Sequence, residues 1–322
     1  MALLVTGVGY IGSVLLRRLA QAEGQSGREH LVGLESFYCS AADQVQRALP
    51  AEARLLQGDV ANATDVARAF EAAGEPVTTV FHLAAQPSAA VAAREPELTE
   101  RSNLTGARVV LEAAREHGAQ VVFGSSFRVY GDDLHGREVD EETPYGRVGD
   151  LSHLSKVYVE QLARMVGVPF IGVRLGVTYG LGPVMKTIPT FMTVPNLFCQ
   201  RAMTDEPLRV LEDRPMAFIH VEDAADALVA AARRLQRPGR SGWQVVNAAP
   251  NVMTIGQVAR CVQRLVEARG RTARIEAPML ADTAFRVRSK LEDEDGWRPR
   301  RTMADGLPAV LDWFGQRAAT TP

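Results

Sequence analysis

With 322 residues, 46% of them hydrophobic, and a formal net charge of −2, the chain is long enough for a substantial core. It has no basic excess that would mark nucleic acid or an anionic membrane as a partner. No apolar run reaches the length of a membrane span, and a strand beginning at residue 2 leaves no room for a signal peptide, so the expected compartment is the cytoplasm. Cys39, Cys199 and Cys261 are too few and too scattered for a disulfide framework or a zinc site; they read as packing residues, and no metal is expected.

Residues 2–5 are an apolar run of strand character, passing directly into Thr6-Gly7-Val8-Gly9-Tyr10-Ile11-Gly12 and then a helical stretch over 13–22. Strand, glycine turn and helix in that order are the context a dinucleotide-binding G-x-G-x-x-G requires. Gly7 permits the tight turn, Gly9 a close approach of backbone to a pyrophosphate, and Gly12 close packing of helix on strand, while the first helical N–H groups face the anion. The next strand, 31–34, ends at Glu35. A carboxylate there accepts hydrogen bonds from the adenosine ribose and repels a 2′-phosphate, which selects NAD over NADP.

Strands at 53–57, 79–83, 120–125 and 170–174 alternate with helices at 64–73, 98–117 and 151–166. The pattern predicts an α/β fold, a doubly wound parallel sheet of Rossmann type. Beyond residue 174 the regularity fails across a proline-rich stretch, with a helix at 195–203, a strand at 217–220, a helix at 221–235, a strand at 243–247 and helices at 254–269 and 303–314. This predicts a smaller, interleaved C-terminal substrate lobe: 1–176 and 216–250 bind NAD, and 177–215 with 251–322 bind substrate. Only three of the 36 basic residues are lysines, Lys156, Lys186 and Lys290. Because ammonium and guanidinium are not interchangeable, each of these positions is a candidate for a required ammonium.

Several stretches in order resemble the extended short-chain dehydrogenase/reductases, the NAD-dependent epimerases and dehydratases of sugar nucleotides. They are Gly7 to Gly12, Asp59-Val60, Phe81-His82-Leu83-Ala84-Ala85, Asn103, Ser125-Ser126-x-x-Val129-Tyr130-Gly131, Ser155-Lys156, Glu206-Pro207-Leu208, Phe218 to Ala224 and Gly296-Trp297-Arg298-Pro299. The resemblance implies that Gly7, Gly9, Tyr10, Ile11, Gly12, Glu35, Asp59, Val60, Leu83, Ala84, Ala85 and Asn103 serve the cofactor, with Asp59 and Val60 at the adenine. It implies that Lys156 holds the nicotinamide ribose and that Ser126 hydrogen-bonds the substrate oxygen. A compact ammonium suits two ribose hydroxyls better than a wide guanidinium; a serine at a strand end is also a common turn residue.

The family's acid/base is a tyrosine four residues before the lysine, and here that position is Ser152. A serine hydroxyl is short and a poor proton carrier near neutral pH. Tyr145, in a Pro-Tyr-Gly stretch before the helix, is the candidate to fold back into the site; His153 and Tyr158 read as lying on other helix faces from Lys156. Phe127 and Arg128 stand where the family's dehydratases carry an acidic pair, and Arg128 is placed to meet a carboxylate or phosphate. Val177 replaces a substrate-binding asparagine and Met216 an arginine. Ser152, Lys186, Asn196, Arg286 and Arg288 are further candidates for polar anchors in the substrate site.

Two functions compete. One is an NAD-dependent enzyme acting on a sugar nucleotide or sugar-like hydroxylated small molecule, with NAD retained through the cycle and an atypical acid/base. The other is an NAD-binding protein of the same fold that has lost redox activity for a non-redox catalytic, structural or regulatory role. Helices 98–117 and 151–166 resemble those of the family's dimer interface, so a homodimer is expected.

Overall fold

A computed structural model of the chain describes residues 1–23, 30–240, 242–277 and 284–320. Its main strands in chain order are β1 (Ala2–Thr6), β2 (His30–Glu35), β3 (Ala53–Gln57), β4 (Val77–His82), β5 (Gln120–Ser126), β6 (Phe170–Leu175), β7 (Val177–Tyr179), β8 (Pro215–His220), β9 (Trp243–Ala248) and β10 (Asn251–Thr254). The principal helices are α1 (Tyr10–Glu23), α2 (Ala42–Ala48), α3 (Ala63–Glu71), α4 (Gly106–Glu116), α5 (Leu151–Val166), α6 (Val194–Met203), α7 (Val221–Leu235), α8 (Ile255–Glu267) and α9 (Met303–Thr320). Seven strands form one parallel sheet in the order β9-β6-β5-β4-β1-β2-β3. A Rossmann-type doubly wound α/β architecture follows from that order.

The central strands are mostly apolar because both faces of a parallel sheet are covered. Successive side chains alternate between faces, so Ala2 and Leu4 of β1 join Val66, Phe70, Val110 and Val159 on one side. Leu3 and Val5 join Leu15, Leu16, Leu228 and Ala231 on the other. Strand order reverses between β1 and β4, and in open parallel sheets the crevice at such a reversal, beyond the strands' carboxyl ends, is where ligands bind.

The helix expected over 98–117 is real but not uniform. Pro96–Thr99 leads into a π-helical stretch, Glu100–Thr105, before α4. A π turn inserts an extra residue into the helical ladder, and here it carries the buried Asn103, while Gly106 is pressed so close to Val60 that a Cβ would lie 2.6 Å from its methyl carbon. Within the stretch 177–215 the helix expected at 195–203 is α6, whereas β7 falls where no strand is expected. The strand β8 does not enter the main sheet: it pairs in parallel with β7 and antiparallel with β10. Such partners are distant in sequence and leave no local pattern. Helix α2 also falls where no helix is expected. Among the described residues no helix is long and apolar enough to cross a membrane.

Candidate active site

The site begins at the glycine turn. Gly7 adopts φ of +84°, and a Cβ there would lie 2.5 Å from Ala84 N; its N–H donates to the Leu34 carbonyl at 2.8 Å, and Leu83 N–H donates to the Thr6 carbonyl at 2.8 Å. The turn is thus clamped between the ends of β2 and β4. At Gly12 a Cβ would meet the Gly7 carbonyl oxygen at 2.1 Å. Gly9 faces open space apart from Ser40 Oγ at 3.2 Å.

From this turn a cavity of about 470 Å³ runs along the carboxyl ends of the strands. Its wall takes Gly7, Gly9, Tyr10, Ile11 and Gly12, then Glu35 from β2, Asp59 and Val60 after β3, and Leu83, Ala84 and Ala85 after β4. It ends at Ser126, Ser152 and Lys156, with Thr178, Lys186 and Thr193 on the far side. Apart from Thr178 and Thr193, these residues are candidates read from the sequence, and they share one surface.

Each is held by its neighbours. Glu35 Oε1 accepts from Phe37 N–H at 2.8 Å, and burial raises its carboxyl above the ordinary value. Asp59 accepts from Ala61 N–H at 2.8 Å and from Arg101 at 2.7 and 3.1 Å. Lys156 Nζ donates to the Gly124 carbonyl at 2.8 Å and lies 4.7 Å from the centre of the Phe123 ring; burial lowers it to about 8, against the raising pull of the Glu160 charge. Ser126 Oγ accepts from Arg128 N–H at 3.2 Å.

Six selected side chains lie elsewhere, among them Arg288, which is exposed and paired with Asp293 at 3.2 Å. Tyr145 is not in the cavity wall: its phenol donates to Glu160 Oε2 at 2.8 Å and accepts from Gln161 Nε2 at 2.8 Å, and burial followed by the Glu160 charge pushes it up to about 12. The chain can run only one way there, because Gly146 is packed where a Cβ would lie 1.9 Å from the Tyr130 carbonyl oxygen. Arg128 turns to Asp132, at 2.9 Å. Asn103 sits behind the wall, accepting from Gln86 N–H at 2.7 Å and donating to Ser155 Oγ at 3.0 Å, which ties the loop after β4 to α5. Asn196 accepts from Gly180 N–H at 3.1 Å and donates to Tyr10 Oη at 3.2 Å. Arg286 is exposed on a two-residue strand, Arg286–Val287, paired with Glu138–Val139.

His153 reads from helix geometry as lying away from the site, yet it lines the cavity beside Ser152 and Lys156. Positions three apart on a helix are neighbours, and Asp150 three residues earlier supplies the N-cap. That Asp-x-x-His spacing is the signal the sequence offers for it. Cys39, read as a packing residue, also lines the cavity, and burial pushes its thiol up to about 11.

A model of the NAD dependent epimerase/dehydratase family matches residues 3–249. The chain belongs to this family. UDP-glucuronic acid decarboxylase 6 of Arabidopsis thaliana is 24% identical across 98% of this chain and 90% of that protein. A dTDP-glucose 4,6-dehydratase of Mycolicibacterium smegmatis is 28% identical across 98% and 93%. The UDP-glucose 4-epimerase of Thermus thermophilus, solved as its complex with NAD, superposes with a TM-score of 0.79 at 25% identity, covering 98% of this chain and 99% of that one. As a member of the family the chain is an enzyme of the extended short-chain dehydrogenase type, and NAD is its cofactor. The cradle fits that group: a turn on which only hydrogen is tolerated at Gly7 and Gly12, a helix N-terminus beyond it, and a carboxylate at the end of β2.

Proposed function

We propose that the enzyme oxidises, and in the same cycle re-reduces, a carbinol of a sugar nucleotide or a closely similar sugar-like molecule, with NAD retained between the two steps. The observation that carries this is the continuity of the cavity of about 470 Å³ from the glycine turn and Glu35 to Ser126 and Lys156. When bound, NAD supplies a reversible acceptor for a hydride from carbon. Glu35 accepts from the adenosine ribose, Asp59 and Val60 border the adenine, Leu83, Ala84 and Ala85 line the dinucleotide, and Lys156 donates to the nicotinamide ribose. Ser126 holds the substrate oxygen, and Lys186 and Thr193 offer polar contacts on the lobe formed by 177–215 and 251–322. Ser152 occupies the position of the family's tyrosine. The curated relatives, sugar-nucleotide decarboxylases, an epimerase and a dehydratase, support the substrate class, and the reading places the enzyme in the cytoplasm.

One observation favours a non-redox role instead: the tyrosines in the wall, Tyr10 and Tyr38, belong to the glycine turn and the segment after β2, so none stands beside Lys156. The test is the protein as purified. Denaturation is expected to release NAD, and incubation with UDP- and dTDP-sugars to give a transient of reduced-nicotinamide absorbance with product detectable by NMR. Glu35→Ala is expected to weaken NAD binding by about 10- to 100-fold, the worth of hydrogen bonds to a charged group. Calorimetry showing NADP bound more tightly than NAD by the wild type would overturn the cofactor assignment, and no absorbance transient with any sugar would favour the non-redox role.

A homodimer belongs to the same proposal. On α5, Leu154, Tyr158 and Met165 are exposed, and their spacing places them on one stripe of the helix. Light scattering is expected to report twice the chain mass, and Tyr158→Glu with Met165→Glu to return the monomer. A wild-type monomer at micromolar concentration would remove this part.

A further inference from the structure

We infer that His153, oriented by Asp150, is the proton carrier of this site, standing in for the phenol that Ser152 cannot replace. The inference rests on the redox reading above.

The geometry is local to the first turn of α5. Asp150 is the N-cap, and its two oxygens are divided between one residue: Oδ1 accepts from His153 N–H at 3.0 Å and Oδ2 meets His153 Nδ1 at 2.7 Å. An ionised carboxylate can only accept, so the ring proton lies on Nδ1 and the basic nitrogen is Nε2. Burial raises the Asp150 carboxyl, but the hydrogen bond and charge of His153, with the Arg128 charge behind, outweigh it and hold the group below the usual carboxylate range. Ring and carboxylate side chains are 21% and 20% exposed, sheltered enough to be fixed yet open to a ligand.

Of the wall residues on α5 and at the end of β5, Ser125, Ser126, Ser152, His153 and Lys156, histidine is the type that exchanges a proton nearest neutral pH. Ser125 is committed to Glu160 at 2.5 Å. Lys156 is assigned to the ribose. Ser152, next to His153 in the same wall, is far smaller than a phenol.

The step balances. Nε2 takes the hydroxyl proton of the carbinol while its carbon gives a hydride, with both electrons, to the oxidised nicotinamide; the products are a ketone, a reduced nicotinamide and an imidazolium. On the return the imidazolium gives its proton to the carbonyl oxygen as the hydride re-adds to carbon.

Two kinds of measurement test this. On a sugar nucleotide turned over by wild type, His153→Gln is expected to lower kcat/KM by about 10²- to 10⁴-fold, the usual worth of a positioned acid/base. Its NAD affinity by calorimetry should stay within about threefold of wild type, well below the tenfold step of 1.4 kcal/mol, and added imidazole should restore part of the rate to His153→Gly. Tyr145→Phe, whose phenol is bound to Glu160, keeps wild-type turnover. Independently of substrate, ¹⁵N spectra of histidine-labelled protein are expected to show His153 protonated on Nδ1. Asp150→Ser, which retains a capping oxygen without the charge, should lose that tautomer. Wild-type turnover in His153→Gln, or a ring proton on Nε2 in the native protein, overturns the inference. If wild type is active, Lys156→Met is inactive and His153→Gln is intact, the redox reading stands and the dyad alone falls. If no sugar reacts and no nicotinamide is reduced, the redox reading falls and takes the dyad with it.

Discussion

Arg174→Met is expected to lower the unfolding free energy by about 3–5 kcal/mol, the cost of stranding one member of a buried ion pair. Arg174 is 2% exposed and Glu160 is 0% exposed. The guanidinium meets Glu160 at 2.8 and 3.2 Å and donates to Tyr130 Oη at 2.6 Å, and the same carboxylate accepts from Ser125 Oγ at 2.5 Å and Tyr145 Oη at 2.8 Å. Removing the arginine leaves a buried carboxylate with two hydroxyls and no ion-pair partner. Domains are stable by only about 5–15 kcal/mol, so the loss is a large share of the whole. Because Glu160 lies one turn beyond Lys156 on α5, and Ser125 is next to Ser126, the damage also reaches the catalytic end of the cavity. Urea titration reads the effect, and the double variant Arg174→Met with Glu160→Met is expected to recover part of it, since replacing both charges removes the stranded one. A loss below about 1 kcal/mol, the scale of a surface pair, would mean that the two groups are not shielded as described.

Gly12→Ala is expected to cost NAD affinity about 10- to 100-fold. The new Cβ would lie 2.1 Å from the Gly7 carbonyl oxygen and 3.0 Å from its carbon. Neither atom can retreat, because the glycine turn is bonded to β2 and backed by the loop after β4. Overpacking against fixed backbone costs about 1–3 kcal/mol, and every 1.4 kcal/mol is a factor of ten in binding. Gly9→Ala is the informative contrast: its Cβ meets only a serine hydroxyl at 3.2 Å, which can rotate away. That variant is expected to retain the wild-type melting temperature, whereas Gly12→Ala is not. Calorimetric titration with NAD and a melting curve for each variant check both statements, and wild-type NAD affinity in Gly12→Ala would contradict the packing.

What was legible in the sequence was local. The order of strand, glycine turn and helix, the carboxylate closing β2 and the lysine on α5 are carried by short segments, and they converge because parallel strands bring their carboxyl ends to one edge. Residues whose placement depends on a loop's direction were not legible. Tyr145 lies five residues before its helix cap, and the packing of Gly146 against the Tyr130 carbonyl, with its N–H on the Val129 carbonyl, turns it toward Glu160. Asn196 and Arg286 fall in segments whose partners are far away in the chain, so their polarity alone could not show that one braces Tyr10 and the other is exposed on a short strand. His153 is the opposite case: its spacing from Lys156 and Asp150 was in plain view, and counting it on another helix face overlooked that positions three apart adjoin.

Tyr10 has a wider meaning for the proposed cycle. It belongs to the glycine turn, yet its phenol donates to the Gly180 carbonyl at 2.6 Å, Asn196 of α6 bridges both, and Gly182 packs near its ring. The cradle of the dinucleotide is therefore fastened to the segment that follows β7, and it cannot loosen unless that segment loosens too. A cofactor retained there, as proposed, would behave as a fixed part of the machine. In the proposed cycle, where the hydride taken from the sugar is returned to it, the reaction would draw on no external pool of reducing power, and its pace would follow the supply of sugar while ignoring the ratio of oxidised to reduced nicotinamide around it.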